Sequence, residues 1–97
     1  MSLRFAPRAE TDLKEIFDFV ASEDIAAAHR VREAILEKAR LIAKQPYVGI
    51  QNAVLPRIRS ALVPRHQYRI HYEVRGPNIL IVHIRHTARR PWVPWNQ

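Results

Sequence analysis

The stretch "YRIHYEVRGPNILIVHIRH", Tyr68 to His86, decides the fold. In its first half Tyr68, Ile70, Tyr72 and Val74 alternate with Arg69, His71, Glu73 and Arg75, the period of two shown by a strand with one apolar and one polar face. "RGPN" is a tight-turn signal. The run that follows, Ile79 to Ile84, is apolar on both faces and reads as a central strand. Upstream, Ile58, Ser60 and Leu62 alternate with Arg57, Arg59 and Ala61, while Pro56 and Pro64 confine pairing to the residues between them or to a sheet edge.

Working back toward the N-terminus, the period changes to that of a helix. "LRFA" is a short strand, and Pro7 suits the first position of a helix, where its missing N–H costs nothing. Leu13, Ile16, Phe17 and Val20 then form an apolar stripe, with Asp12, Lys14, Glu15 and Asp18 turned to water, so a helix is predicted from about 7 to 21. Ser22 or Asp24 can cap a second helix, whose stripe is Ala28, Val31, Ile35, Ala39 and Ile42 and which Pro46 and Gly49 stop. So short a link makes a helical hairpin. The predicted order is β-α-α-β-β-β, an α+β fold with the hairpin on one face of a small antiparallel sheet, and residues 1–97 read as one domain.

Composition narrows the function. There are no cysteines, which excludes disulfides and thiolate metal sites. No run approaches a membrane span and the charged N-terminus is unlike a signal peptide, so a cytoplasmic protein without membrane contact is expected. The net charge of +7 is unevenly placed. Residues 1–50 carry eight basic and eight acidic side chains, whereas residues 51–97 carry Arg57, Arg59, Arg65, Arg69, Arg75, Arg85, Arg89 and Arg90 against Glu73 alone. All eight are arginine, whose planar fork suits carboxylate or phosphate, so an acidic partner is indicated over an idle basic surface. With the helices on the apolar face, several of these arginines are expected on the uncovered face or its rim.

The pieces "AETDLKEIFDFV", "KQPYVG", "RIRSALVPRHQYRIHYEV" and "ILIVHIRHTARRPW", in this order, resemble toxins of the RelE/ParE superfamily of bacterial toxin–antitoxin pairs. The resemblance covers nearly the whole chain, although "P-x-x-G" (Pro46 to Gly49), "Y-R-I-x-Y" (Tyr68 to Tyr72) and "H-x-x-R" (His86 to Arg89) are each weak alone. It implies the fold already derived. It also implies a cognate antitoxin, partly disordered, that folds over the toxin in a heteromeric complex, and the acid-poor half adds the expectation that this partner is acidic. No cofactor is implied.

Two activities divide the superfamily. RelE-like members cut mRNA on the ribosome, which requires a base for the 2′-OH, an acid for the leaving oxygen and cations for the phosphate. A nuclease site here would use His86, Arg89 and Arg59, with Arg85 or Arg57 in support. Against it, no carboxylate occurs from Lys38 to Tyr72, no tyrosine follows Tyr72 and no lysine follows Lys44. ParE-like members poison DNA gyrase by protein contact, and an arginine-rich, acid-poor sheet fits that branch better. Target contact is therefore assigned to Arg57, Arg59, Arg65, Arg85, His86, Arg89 and Arg90, and antitoxin contact to Leu13, Phe17, Val20, Arg69 and Trp92.

Plainer roles compete for several of these residues. His86 can satisfy a backbone group at a strand end; Arg89 and Arg90 can pair with Asp12, Glu15 or Asp18; Tyr68 and Tyr72 read as packing. Trp92 and Trp95 can cap the open end of the core or anchor a partner. The histidines lack ligand spacing, so no metal site is expected. A plain nucleic-acid-binding module would draw on the same arginines, but no recognition helix or set of stacking aromatics supports it.

Overall fold

A computed structural model describes residues 2–89 and Trp92. The elements run β1 (Ser2–Phe5), α1 (Pro7–Ala21), α2 (Ile25–Lys44), β2 (Ile50–Gln51), β3 (Ile58–Leu62), β4 (Tyr68–Arg75) and β5 (Asn78–His86). Two helices pack on a five-stranded sheet of order β1-β5-β4-β3-β2. The α+β class and the helical hairpin are as expected.

Two features of the sheet depart from the expected pattern. β1 runs parallel to β5, pairing Leu3 with Ile79 and Phe5 with Ile81, so the sheet is mixed. Tight turns force neighbouring strands to alternate, but two helices separate β1 from the rest and release it from that rule. The fifth strand, β2, is only two residues long and pairs Ile50 with Ser60 and Gln51 with Arg59. A segment so short shows no period.

Local chemistry sets the boundaries. Pro7 opens α1, as expected. Asp24 caps α2, its Oδ1 accepting from the Ala27 N–H at 3.0 Å, while Ser22 Oγ donates back to the Phe19 carbonyl at 2.7 Å. In the β4–β5 hairpin Gly76 has φ +55 and Pro77 follows, the sign pattern of a type II′ turn. The whole predicted stripe of α2 is buried, against Ile70, Tyr72, Ile79, Ile81 and Ile84 of the sheet. On α1 only Ala9 is fully buried, and Leu13 and Ile16 lie partly covered at its margin.

Tyr72 ties the exit of α2 to the sheet. Its fully buried hydroxyl donates to the Pro46 carbonyl at 2.8 Å and accepts from the Gly49 N–H at 2.9 Å. The phenol is a structural group, as the plainer reading of Tyr72 expected. A Cβ at Gly49 would lie 2.5 Å from that oxygen and 2.8 Å from the Ser60 carbonyl, so the close approach of the α2–β2 loop excludes a side chain. Gly49→Ala is expected to destabilise the fold by about 1–3 kcal/mol through overpacking. Tyr72→Phe, which orphans a buried N–H, should cost about 1–3 kcal/mol. Urea unfolding of the two variants measures both.

Candidate functional site

A break in register creates the site. β4 and β5 pair Tyr68 with His86, Arg69 with Arg85, Ile70 with Ile84 and His71 with His83, but then Tyr72 with Ile81. Val82 is thus an extra residue on β5, a bulge. Without it, unbroken alternation would put His83 and Arg85 on the same side as Ile79 and Ile81, inside the core. With it, Ile84 joins the core and His83 and Arg85 turn to the side of Arg69 and His71. The arginines of β4 and β5 therefore do converge on the face the helices leave uncovered.

Asp12 of α1 secures this arrangement at the sheet edge. β1 pairs with β5 only as far as Ile81, so the N–H of Ile84 has no strand to meet. Asp12 Oδ2 accepts from it at 3.0 Å and also meets His83 Nδ1 at 2.5 Å. On the other side of the His83 ring, Nε2 faces Arg8 Nη2 at 3.5 Å and Arg85 Nη1 at 3.4 Å. Guanidinium groups only donate, so Nε2 accepts and Nδ1 carries the proton that binds Asp12. Burial alone would raise the Asp12 pKa, but the bonds from His83 and Ile84 and the Arg8 charge hold it below the usual carboxylate range.

Above the sheet, His71 stacks on His83 with ring centroids 6.0 Å apart, and Trp92 lies 4.7 Å from His71 and 5.1 Å from His83. Trp92 thus packs back on the sheet, over the two histidines of the uncovered face and not over the open end of the core, where a capping role was expected; Trp95 and Arg90 lie outside the described residues. Burial first, and with it the positive charges of Arg69 and Arg85, lower the His71 pKa to about 4. His71 is neutral at pH 7. Beside this stack a cavity of about 270 Å³ is lined by Asn52, Arg69, His71, Arg85, His86, Thr87, Arg89 and Trp92.

The sequence candidates fall into three places. Arg85, His86 and Arg89 share the cleft just described and also line a second groove, of about 690 Å³, with Ile16, Phe19 and Tyr68. Arg57 and Arg59 are elsewhere. Arg57 Nε pairs with the buried Glu73 at 2.7 Å, and Arg75 pairs with the same carboxylate. Arg59 donates to the Gly49 carbonyl at 2.9 Å and stacks its guanidinium over Tyr47, so it is not assembled with His86 and Arg89. Arg65, in the β3–β4 turn, is exposed with φ +68. Leu13 and Phe17 line a groove of about 560 Å³ on the helical side, together with Phe5, His29 and Leu36, whereas Arg69 and Trp92 belong to the cleft on the opposite face. Val20 is half-buried beside the tip of the helical hairpin.

His86 has the plainer role expected for a strand end: Nδ1 accepts the Ala88 N–H at 3.0 Å, and the ring meets Tyr68 edge to face at 5.3 Å. Arg89 makes no ion pair with a described carboxylate. Sequence reasoning missed His71, Asp12 and Arg8 as parts of the site. Only a recognised bulge would have aligned His71 with His83. Among the described residues no group of histidines and carboxylates could hold a metal ion, and no helix is long and apolar enough to cross a membrane.

Residues 3–91 match the family model described as ParE toxin of type II toxin–antitoxin system, parDE. Among solved structures, the chain resembles the chromosomal ParDE toxin–antitoxin system from P. aeruginosa, with TM-score 0.76 and 24% identity over 89% of this chain and 95% of that one. It also resembles the isolated E. coli RelE toxin, with TM-score 0.67 and 16% identity over 92% of this chain and 86% of that one. At these identities both likenesses speak for the fold alone. Curated protein sequences offer no match.

The buried His71 makes stability depend on pH. Its folded pKa, about 4, lies below the ordinary 6.5, so the unfolded chain binds the proton more tightly. Its contribution is complete above about pH 6.5 and is lost as pH falls toward 4, with a slope of up to about 1.4 kcal/mol per pH unit. His71→Phe is expected to flatten the dependence in that window. The loss below pH 4 that comes from Asp12, whose folded pKa is depressed, should remain. Chemical unfolding at a series of pH values reads both.

Proposed function

The chain belongs to the ParE toxin family of type II toxin–antitoxin systems, and from that premise we propose that it inhibits DNA gyrase by protein contact and is neutralised by a cognate antitoxin. It acts as one toxin domain, in the cytoplasm. The observation that carries this reading is how its histidines are employed near the arginines. His83 is buried and bound to Asp12, His71 is neutral and buried, and His86 spends Nδ1 on the Ala88 N–H. RNA cleavage through the 2′-OH needs a paired base and acid within reach of the phosphate, and with Nδ1 engaged His86 offers at most one of the two, as a donor through Nε2–H.

Neutralisation follows from the two faces. The antitoxin is an acidic, partly disordered chain that orders on contact. Its apolar side chains lie along the helical hairpin against Leu13, Phe17 and Val20, and its acidic groups reach Arg69 beside Trp92. The groove lined by Leu13 and Phe17 offers the apolar part of such a surface. Arg65, Arg85 and Arg89, all in the acid-poor half, face the target.

One observation favours the ribosome-dependent nuclease: Arg85, His86 and Arg89 do share a cleft. Purified protein given gyrase and supercoiled DNA should trap double-strand breaks, and given translating ribosomes should leave mRNA intact. Codon-phased cuts, abolished by His86→Ala, would reverse the assignment, because losing a general acid or base lowers the rate by about 10²–10⁴-fold. In a gyrase inhibitor, His86→Ala should alter potency by no more than about threefold.

A further inference from the structure

The edge of the sheet formed by β2 is open and carries no charge. β2 is the last strand in the order, and the segment that contains it, Gln45 to Pro56, holds no charged residue in a chain of which 26% are charged. Tyr47, Val48, Ile50 and Val54 in this segment, and Leu62 at the end of β3, are each more than half exposed, Ile50 at 72%. Strand edges pair readily with other chains, and proteins usually blunt them with lysine or an inward-pointing charge. Here the cation that reaches the segment is Arg59 of β3, and it lies along the loop, donating to the Gly49 carbonyl and stacking over Tyr47.

The backbone of this edge is presented outward. The Asn52 N–H meets the Ile58 carbonyl at 2.8 Å and Ile50 stands opposite Ser60, so by strand alternation Gln51 between them directs its own N–H and carbonyl away from β3. Before Ile50, Val48 gives its N–H to the Gln45 carbonyl at 3.1 Å, and β2 stops short of Leu62. The segment is also pinned on both sides of β2. Tyr72 fixes Gly49, and Asn52 Oδ1 accepts the N–H groups of Val54 and Leu55, each at 2.9 Å. A surface held in place before contact loses less freedom on binding.

We propose that this edge is the surface through which two copies of the chain associate, β2 pairing antiparallel with β2 of a second copy about a two-fold axis at Gln51. Charge selects this occupant. At +7, two copies repel one another where their basic surfaces meet, and along this segment they can touch without opposing like charges. An acidic partner, by contrast, finds no cation from Gln45 to Pro56 to pair with. The edge is self-complementary, as a contact about a two-fold axis requires. With Gln51 on the axis, the outward N–H and carbonyl of each copy face those of the other and Ile50 comes opposite Asn52. Val48 and Val54, three residues to either side of Gln51, are then brought toward each other across the axis. The surface is small, so the dimer is a weak and reversible one. It involves neither gyrase nor an antitoxin, and its failure would leave the assignment of the toxin's target untouched.

Sedimentation equilibrium of the purified chain from about 10 μM to about 1 mM tests the proposal. A monomer–dimer equilibrium is expected, and it should tighten as sodium chloride is raised, because salt screens the repulsion between two cationic bodies and spares apolar and backbone contacts. Ile50→Lys and Val54→Lys each bring like charges together near the axis and should raise the dissociation constant about tenfold or more. Leu41→Lys, which adds the same charge on an exposed part of α2, should have far less effect. All three side chains are exposed, and an unchanged urea midpoint checks that each variant is folded. A chain that stays monomeric at every concentration and salt, a dimer that loosens as salt is raised, a dimer that neither edge variant weakens, or one that Leu41→Lys weakens equally overturns the proposal.

Discussion

The bulge at Val82 is the constraint on which the rest of the structure depends. A single extra residue in β5 reverses which side its following residues face. Ile84 closes the core with Ile70, and His83 and Arg85 are delivered to the open face beside His71 and Arg69. A bulge leaves the ladder short of partners, and here the deficit is met from the helical layer, where Asp12 takes the Ile84 N–H and the His83 ring together. One carboxylate therefore holds the strand edge, fixes a histidine tautomer and offsets part of the Arg8 and Arg85 charge. The two layers of the fold are joined by a polar contact as well as by the apolar core.

Much of this architecture was legible in the sequence because it follows from periodicity. The stripe of α2 and the capping by Asp24 are local properties, and the structure reproduces them residue by residue. So is the β4–β5 hairpin, written in alternation and a glycine-proline turn. What escaped is non-local. Gly49 and Tyr72 are 23 positions apart, and only folding shows that the loop after α2 must pass close to the tyrosine hydroxyl, which brings Ile50 and Gln51 alongside β3. The parallel pairing of β1 is of the same kind, since nothing within "LRFA" states which strand it will meet.

The candidate site was legible in composition and not in position. An excess of arginine in the second half is evident from counting, yet Arg57 and Arg59 look the same in sequence as Arg69 and Arg85. Their environments differ greatly. Arg57 neutralises a buried glutamate, and Arg59 covers the α2–β2 loop by donating to its carbonyls. Arg69 and Arg85 instead stand opposite each other across the strand pair. His71 was hidden for a related reason: on a polar strand face it reads as solvated, and the ring of Trp92, 21 positions later, buries it.

The acids of the helices explain why the cationic field survives folding. Asp18 pairs with Lys14, Glu37 with Arg40 and Glu33 with Arg32, all within the helices and all exposed. Pairs of this kind contribute little and are screened by salt, and they occupy three of the helical carboxylates, while Glu15 lines the groove that Arg85 and Arg89 share. Asp12 is the carboxylate that does reach across, and it meets a histidine and a backbone N–H rather than Arg69 or Arg89. The balance of zero in residues 1–50 and the excess in residues 51–97 are thus a division of the sequence, which the fold interleaves by laying β1 and α1 against β5. Burial and the Arg89 and Arg8 charges press down the pKa of Arg85, and Asp12 opposes them.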